Sequence, residues 1–142
     1  MTEAAGTTGV NGLVADADVR GHFEIVMAIG RGPTWGEFWA QVPVFDFDDL
    51  RLPPDAPDAE VWEACQRRGL ILVTGNRNAE SESSLEETIR ARGTISSLPV
   101  FTLADRDCIL TDGDYGERVA TRLIELLEDI EHFRGTGRLW LP

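Results

Sequence analysis

Lysine is absent from this sequence, so all 13 of its basic side chains are arginines, and they face 25 acids for a formal charge of −12. A surface that negative repels phosphate backbones at long range, which disfavours non-specific nucleic-acid binding and leaves only local arginine patches for the purpose. Cysteine is scarce as well. Cys65 and Cys108 form no CxxC pair and no metal-ligand spacing, and they read as two reduced, partly buried thiols. The opening MTEAAGTTGVNG has neither a basic n-region nor an apolar h-region, so a cytoplasmic protein is expected. No apolar run approaches the roughly 20 residues that span a bilayer, and no membrane partner is expected. GxGxxG, GxxxxGK[ST] and GxSxG are all missing, which removes support for dinucleotide binding, a P-loop and a serine elbow.

What is present suits one domain: 142 residues, 42% of them hydrophobic, can bury a single ordinary core. Residues 1–12 are small and polar and are expected to be a disordered tail, with the domain running over 13–142. GLVAD reads as a strand ending on an acid. HFEIVMAIG then places Phe23, Val26, Met27 and Gly30 on one helical face. QVPVFDF reads as a short strand that Pro43 demotes to an edge. AEVWEACQRRG reads as a helix with Val61, Trp62 and Cys65 inward and Gly69 as its stop. LILVT shows no alternation, the pattern of a strand covered on both faces. In SSLEETIRARG a capping box from Ser84 to Glu87 would open a helix carrying Leu85 and Ile89. LPVFTLAD is another buried strand, YGERVATRLIELLEDIEHF a long amphipathic helix, and GRLWLP a closing strand. Strands separated by helices in this order predict a three-layer α/β/α sandwich with a mostly parallel central sheet.

In such a sheet the carboxyl ends of the strands face one crevice. ADAD at 15–18, TGNRN at 74–78 and ADRD at 104–107 all fall there, with Asp58 at the start of a helix. Converging carboxylates bind magnesium or manganese, because hard cations take oxygen ligands that discharge the mutual repulsion of the acids. Each of these residues also has a plainer reading. Asp16 and Asp18 suit a helix cap, Asp58 a first-turn acid favoured by the helix dipole, and Asp105 and Asp107 a turn. TDGDYGE reads as a turn with a helix cap. The tryptophans in GPTWGEFWA, residues 32–40, are candidates for an exposed interface patch.

Taken together, LVADADVRGH, DAEVWEACQRRGLILVTGNRN and SLEETIRARGTISSLPVFTL resemble the PIN-like domains, in the branch related to toxin ribonucleases of bacterial toxin and antitoxin pairs. The resemblance covers about residues 13–141. It implies a small α/β/α sandwich in which acids on the first strand, in a later helix and after the central strand hold Mg²⁺ or Mn²⁺ for RNA cleavage. By that correspondence Asp16 matches the first-strand acid, Asp18 a position often occupied by Asn, Asp58 the helix acid and Thr74 the threonine ending the central strand. Asn76 and Asn78 fall where many members carry two aspartates. An amide keeps an oxygen ligand but loses a full charge, so Asp16 and Asp58 are the expected metal ligands of a weakened site. Asn76 would orient water or phosphate, with Asp18, Thr74, Arg77, Asn78 and Arg20 contacting substrate. Two functions stay open on this reading. One is a metal-dependent ribonuclease acting on RNA and held by an antitoxin. The other is a catalytically degenerate module working through protein contacts, including those of a homodimer.

Overall fold

The computed structural model describes residues 10–30, 32, 36–39, 41–75 and 79–142, without the side chains of residues 38, 39 and 79–83. Five strands, β1 (Gly12–Ala15), β2 (Val44–Phe45), β3 (Leu70–Gly75), β4 (Val100–Leu103) and β5 (Arg138–Leu141), form one sheet in the order β2-β1-β3-β4-β5. Every pairing is parallel. Helices α1 (Arg20–Gly30), α2 (Gly36–Trp39), α3 (Asp58–Arg68), α4 (Ala79–Arg92), α5 (Arg106–Thr111) and α6 (Gly113–Glu128) make the connections. The three-layer α/β/α sandwich expected from the sequence is the fold observed.

The unalternating strands follow from having a core on each face. On one side Leu13, Ile71, Val73, Phe101 and Leu103 pack against Phe23, Val26 and Met27 of α1 and Val119, Leu123 and Leu127 of α6. On the other, Val14, Leu70, Leu72 and Val100 meet Val61, Trp62 and Cys65 of α3 and Leu85 of α4. Successive residues of a strand point to opposite faces, so both sets must be apolar. Gly69 ends α3 at φ 71° and donates to the Cys65 and Gln66 carbonyls, a left-handed cap that costs a β-carbon-bearing residue strain.

Several boundaries differ from expectation. Val10 is buried, and Asn11 bonds to the Arg68 and Gly69 carbonyls, so the folded unit already includes residues 10–12. α4 starts at Ala79, which puts Ser84 inside the helix, where its carbonyl accepts from the Thr88 hydroxyl; it is not a capping-box residue. Asp105, expected in a turn, caps α5 by accepting from the Cys108 N–H. The long helix stops at Glu128 and continues as a 3-10 turn over Ile130–Phe133. The cap before α6 is as expected, with Asp112 accepting from the N–H groups of Asp114 and Tyr115. Trp35 of the proposed aromatic patch lies outside the described residues, and so does the side chain of Trp39. No described helix is long and apolar enough to cross a membrane.

Phe101 is fully buried in the middle of the sheet. Phe101→Ala should therefore cost about 3–5 kcal/mol, read as a lower denaturant midpoint at unchanged slope.

Candidate functional site

The strand order places a topological switch point between β1 and β3. From β1 the chain moves outward to β2, then crosses back to β3 and proceeds the other way to β4 and β5. The loops after β1 and β3 consequently diverge to opposite faces, and a crevice opens between them. Asp16 ends β1 there. Its backbone N–H donates to the Val73 carbonyl at 2.9 Å, one step beyond the Ala15–Val73 pairing. Thr74 is level with Thr102, and Thr102 with Trp140. Asp16, Thr74, Thr102 and Trp140 thus form a row across the sheet at its carboxyl edge, on the α3/α4 face.

The row is polar where strands are usually apolar. Asp16 is 9% exposed and both threonines are fully buried. The Thr74 hydroxyl donates to Asp16 Oδ2 at 3.1 Å, which fixes the carboxylate and offsets part of its lost hydration. The Thr102 hydroxyl, next along, has no hydrogen-bond partner among the described residues. Asp58 opens α3, half-buried, and because α3 runs back against the strands it lies at the same sheet edge as Asp16. The field of Asp16 reaches α3: burial first, and the Asp16 charge second, push the Cys65 thiol up to about 12.

Two expected substrate residues are drawn away from this row. Asp18 stands in a 3-10 turn over Ala17–Val19, and its carboxylate and carbonyl both accept from Arg106 Nη1 at 3.2 Å. A Cβ at Gly75 would lie 2.7 Å from Val19 Cγ1 but in ordinary contact, at 3.5 Å, with Arg106 Nη1, so the glycine gives room to Val19 of the 3-10 turn over the end of β3. Arg20 pairs instead with Asp46 at 3.6 Å. Asp46 and Asp49 each accept from the other's backbone N–H, at 3.0 and 2.9 Å. The bond from the Asp49 backbone holds the Asp46 carboxyl below its ordinary range, with Arg20 a smaller cause. This pair borders a separate cleft of about 230 Å³ lined by Phe23, Met27 and Phe45. The functional assignment of Arg20 and Asp18 to one substrate site with Asp16 is therefore not supported by where their side chains go: each already has a counter-ion on the α1/α5 side.

Asn76, Arg77 and Asn78 lie outside the described residues. Among the described residues no three His, Cys, Asp or Glu side chains are grouped to hold a metal ion. Among the described residues the carboxylates at this edge are Asp16 and Asp58, with Asp18 paired to Arg106, which is fewer acids than two hard cations need.

Arg106 and Thr102 carry no sign of their roles in the sequence. The Asp18–Arg106 pair joins residues 88 apart, which no local spacing reveals. Thr102 could be inferred only by setting VFTL in register with LILVT. Comparisons of the chain with models of protein families, with curated proteins and with solved structures find no match.

The two threonines should respond oppositely to the same nearly isosteric change. Thr74→Val removes a donor to a buried carboxylate and should destabilise by about 1–3 kcal/mol. Thr102→Val removes an unpartnered buried hydroxyl and should be neutral or stabilising by about 1 kcal/mol, both measured by urea denaturation. Cys65, with its thiol held neutral, should resist alkylation in the folded protein at pH 8 and react once denaturant is added. Because its folded pKa of about 12 is above the ordinary 9.0, the unfolded chain loses this proton first, so folding stability should decline as pH rises beyond 9.0.

Proposed function

We propose that this chain is a PIN-like domain of nuclease type whose acid site is degenerate, and that it works through binding rather than metal-assisted phosphodiester hydrolysis. The observation that carries this reading is the fate of the carboxylates. Asp16 is set into the switch-point crevice with Asp58 at the same edge, but Asp18 is tied to Arg106. In the sequence just after the central strand, positions 76 and 78 are amides where the resemblance implies acids. Each missing charge weakens the hold on a divalent cation by several kcal/mol at ligand distance, taking an effective dielectric of about 20. A molecule of net charge −12 is also a poor non-specific partner for RNA. Protein contacts are the better use of such a surface.

One observation favours the second reading, a Mg²⁺- or Mn²⁺-dependent ribonuclease of the toxin and antitoxin type. Keeping a carboxylate buried at a switch point costs stability, and such groups concentrate where function needs them. In that case Asp16 and Asp58 would hold a single ion that polarises water and phosphate, and the chain's own part would be to keep Asp16 oriented through Thr74.

A Mn²⁺ titration followed by incubation with RNA separates the two. Binding weaker than millimolar and no cleavage are the expected results. Submillimolar binding, with cleavage lost in both Asp16→Ala and Asp58→Ala, would instead establish the ribonuclease. The variant carrying Asn76→Asp and Asn78→Asp should tighten Mn²⁺ binding by at least about tenfold; if it changes nothing, the crevice is not a metal-derived site at all.

A further inference from the structure

Successive residues at the end of β1 serve different faces of the sheet. Asp16 turns to the α3/α4 side, whereas Ala15 packs into the α1 core and backs the cleft of about 230 Å³ between α1 and β2. The floor of that cleft is apolar. Phe23 and Met27 of α1 and Val44 and Phe45 of β2 supply it. Because β2 ends the sheet on this side, among the described residues no strand covers its outer edge, and Val44 stays 37% exposed. Ligand sites combine such a floor with a few placed polar groups and usually enclose about 300–1,000 Å³. This cleft is smaller and suits one ring with a short chain.

The polar groups form a rim in which one sign prevails. Glu24 stands one turn after Arg20 on α1, and Asp46 and Asp49 stand on the segment that follows β2. Three carboxylates therefore share the rim with one guanidinium. Asp46 and Asp49 are held in place, because each accepts from the other's backbone N–H. Asp46 gives Oδ1 to that bond and leaves Oδ2 to Arg20. Arg20 is the movable member. Its side chain is 55% exposed and it meets Asp46 at 3.6 Å, a surface contact of little strength. A cation entering the cleft takes over the carboxylate that Arg20 releases, while an anion meets three charges of its own sign. The chain's charge of −12 acts in the same direction by concentrating cations at its surface.

We propose that this cleft binds a small organic cation, an amine or guanidine carried on an aromatic or branched apolar body. The body lies on the floor of Phe23, Met27 and Phe45, and the cation takes Asp46 Oδ2 in place of Arg20. Burial of the body supplies the affinity, and the carboxylates select the sign of the head group. The crevice at Asp16 takes no part, so binding here stands or falls apart from the function assigned there.

Amide NMR titration of the full chain with phenethylamine tests it. Shifts should saturate at about millimolar concentration or below and centre on Glu24, Val44, Phe45 and Asp46. Phenylacetate, with the same ring and the opposite charge, and ethylamine, with the charge and no ring, should each bind weaker by about tenfold or more. Asp46→Asn keeps the oxygen that accepts from Asp49 but loses the charge, and should weaken phenethylamine by about tenfold. Arg20→Ala removes the competing cation and should tighten it about threefold or more. The same spectra report whether each variant is folded, and the comparison of the three ligands needs no variant. Three results overturn the proposal: no saturation by about 10 mM phenethylamine, phenylacetate or ethylamine binding as tightly, or a folded Asp46→Asn protein with unchanged affinity. Weaker binding in folded Arg20→Ala also overturns it, because Arg20 would then be a ligand contact and not a competitor.

Discussion

The parallel pairing of β1 with β3, Gly12 opposite Leu70 through Ala15 opposite Val73, is the contact on which the arrangement of this molecule depends. Parallel neighbours cannot be joined by a tight turn, so the chain between them has to leave the sheet and return as a crossover. Here that path includes β2 on the far side of β1, and α3 must cross back over the opposite face. Both faces are thereby covered, both sets of strand side chains become apolar, and the loops after β1 and β3 are forced apart. The crevice is a consequence of connectivity before any polar residue is placed in it.

What the chain places there is a carboxylate with little water. Thr74 donates a hydrogen bond to the Asp16 carboxylate, which offsets part of the hydration lost at the end of β1. Asp18, two residues on, has swung to the other side of the strand end, where Arg106 reaches it and Gly75 leaves room for Val19 of the same turn. One-third exposure of both partners makes that pair weak in stability. Its effect is on charge: it cancels an acid that would otherwise add to the field at the crevice mouth.

The sheet handles its two edges differently. β2 has only two residues and follows Pro43, whose carbonyl is taken by Leu13, so it offers little for another strand to extend. β5 has four residues, ends beside α6 and presents Trp140 outward. Natural sheets usually protect an edge with charge, brevity or proline, and β5, four residues long, carries Arg138 and is followed by Pro142.

Fold class was legible in the residues because burial leaves a pattern in each segment separately. LILVT can be only a strand covered twice, and Val119, Leu123, Leu126 and Leu127 can share a face only on a helix. Gly69 and Asp112 mark their helix ends by local chemistry alone. Where the expectation failed, a competing local signal misled: Ser84 looked like a cap but sits inside α4, and Asp105 looked like a turn residue but caps α5. The strand-end positions were legible as candidates, since both Asp16 and Thr74 stand at the crevice. Their partners were not. Whether Asp18 joins Asp16 or leaves it depends on a guanidinium 88 residues away, and whether Thr102 is satisfied depends on sheet register. The amino-acid sequence by itself thus determined the elements and the acids, because periodicity and side-chain type are properties of neighbours. Only the tertiary structure decided which charges meet, because Coulomb and hydrogen-bond partners are chosen by distance in space and not by distance along the chain.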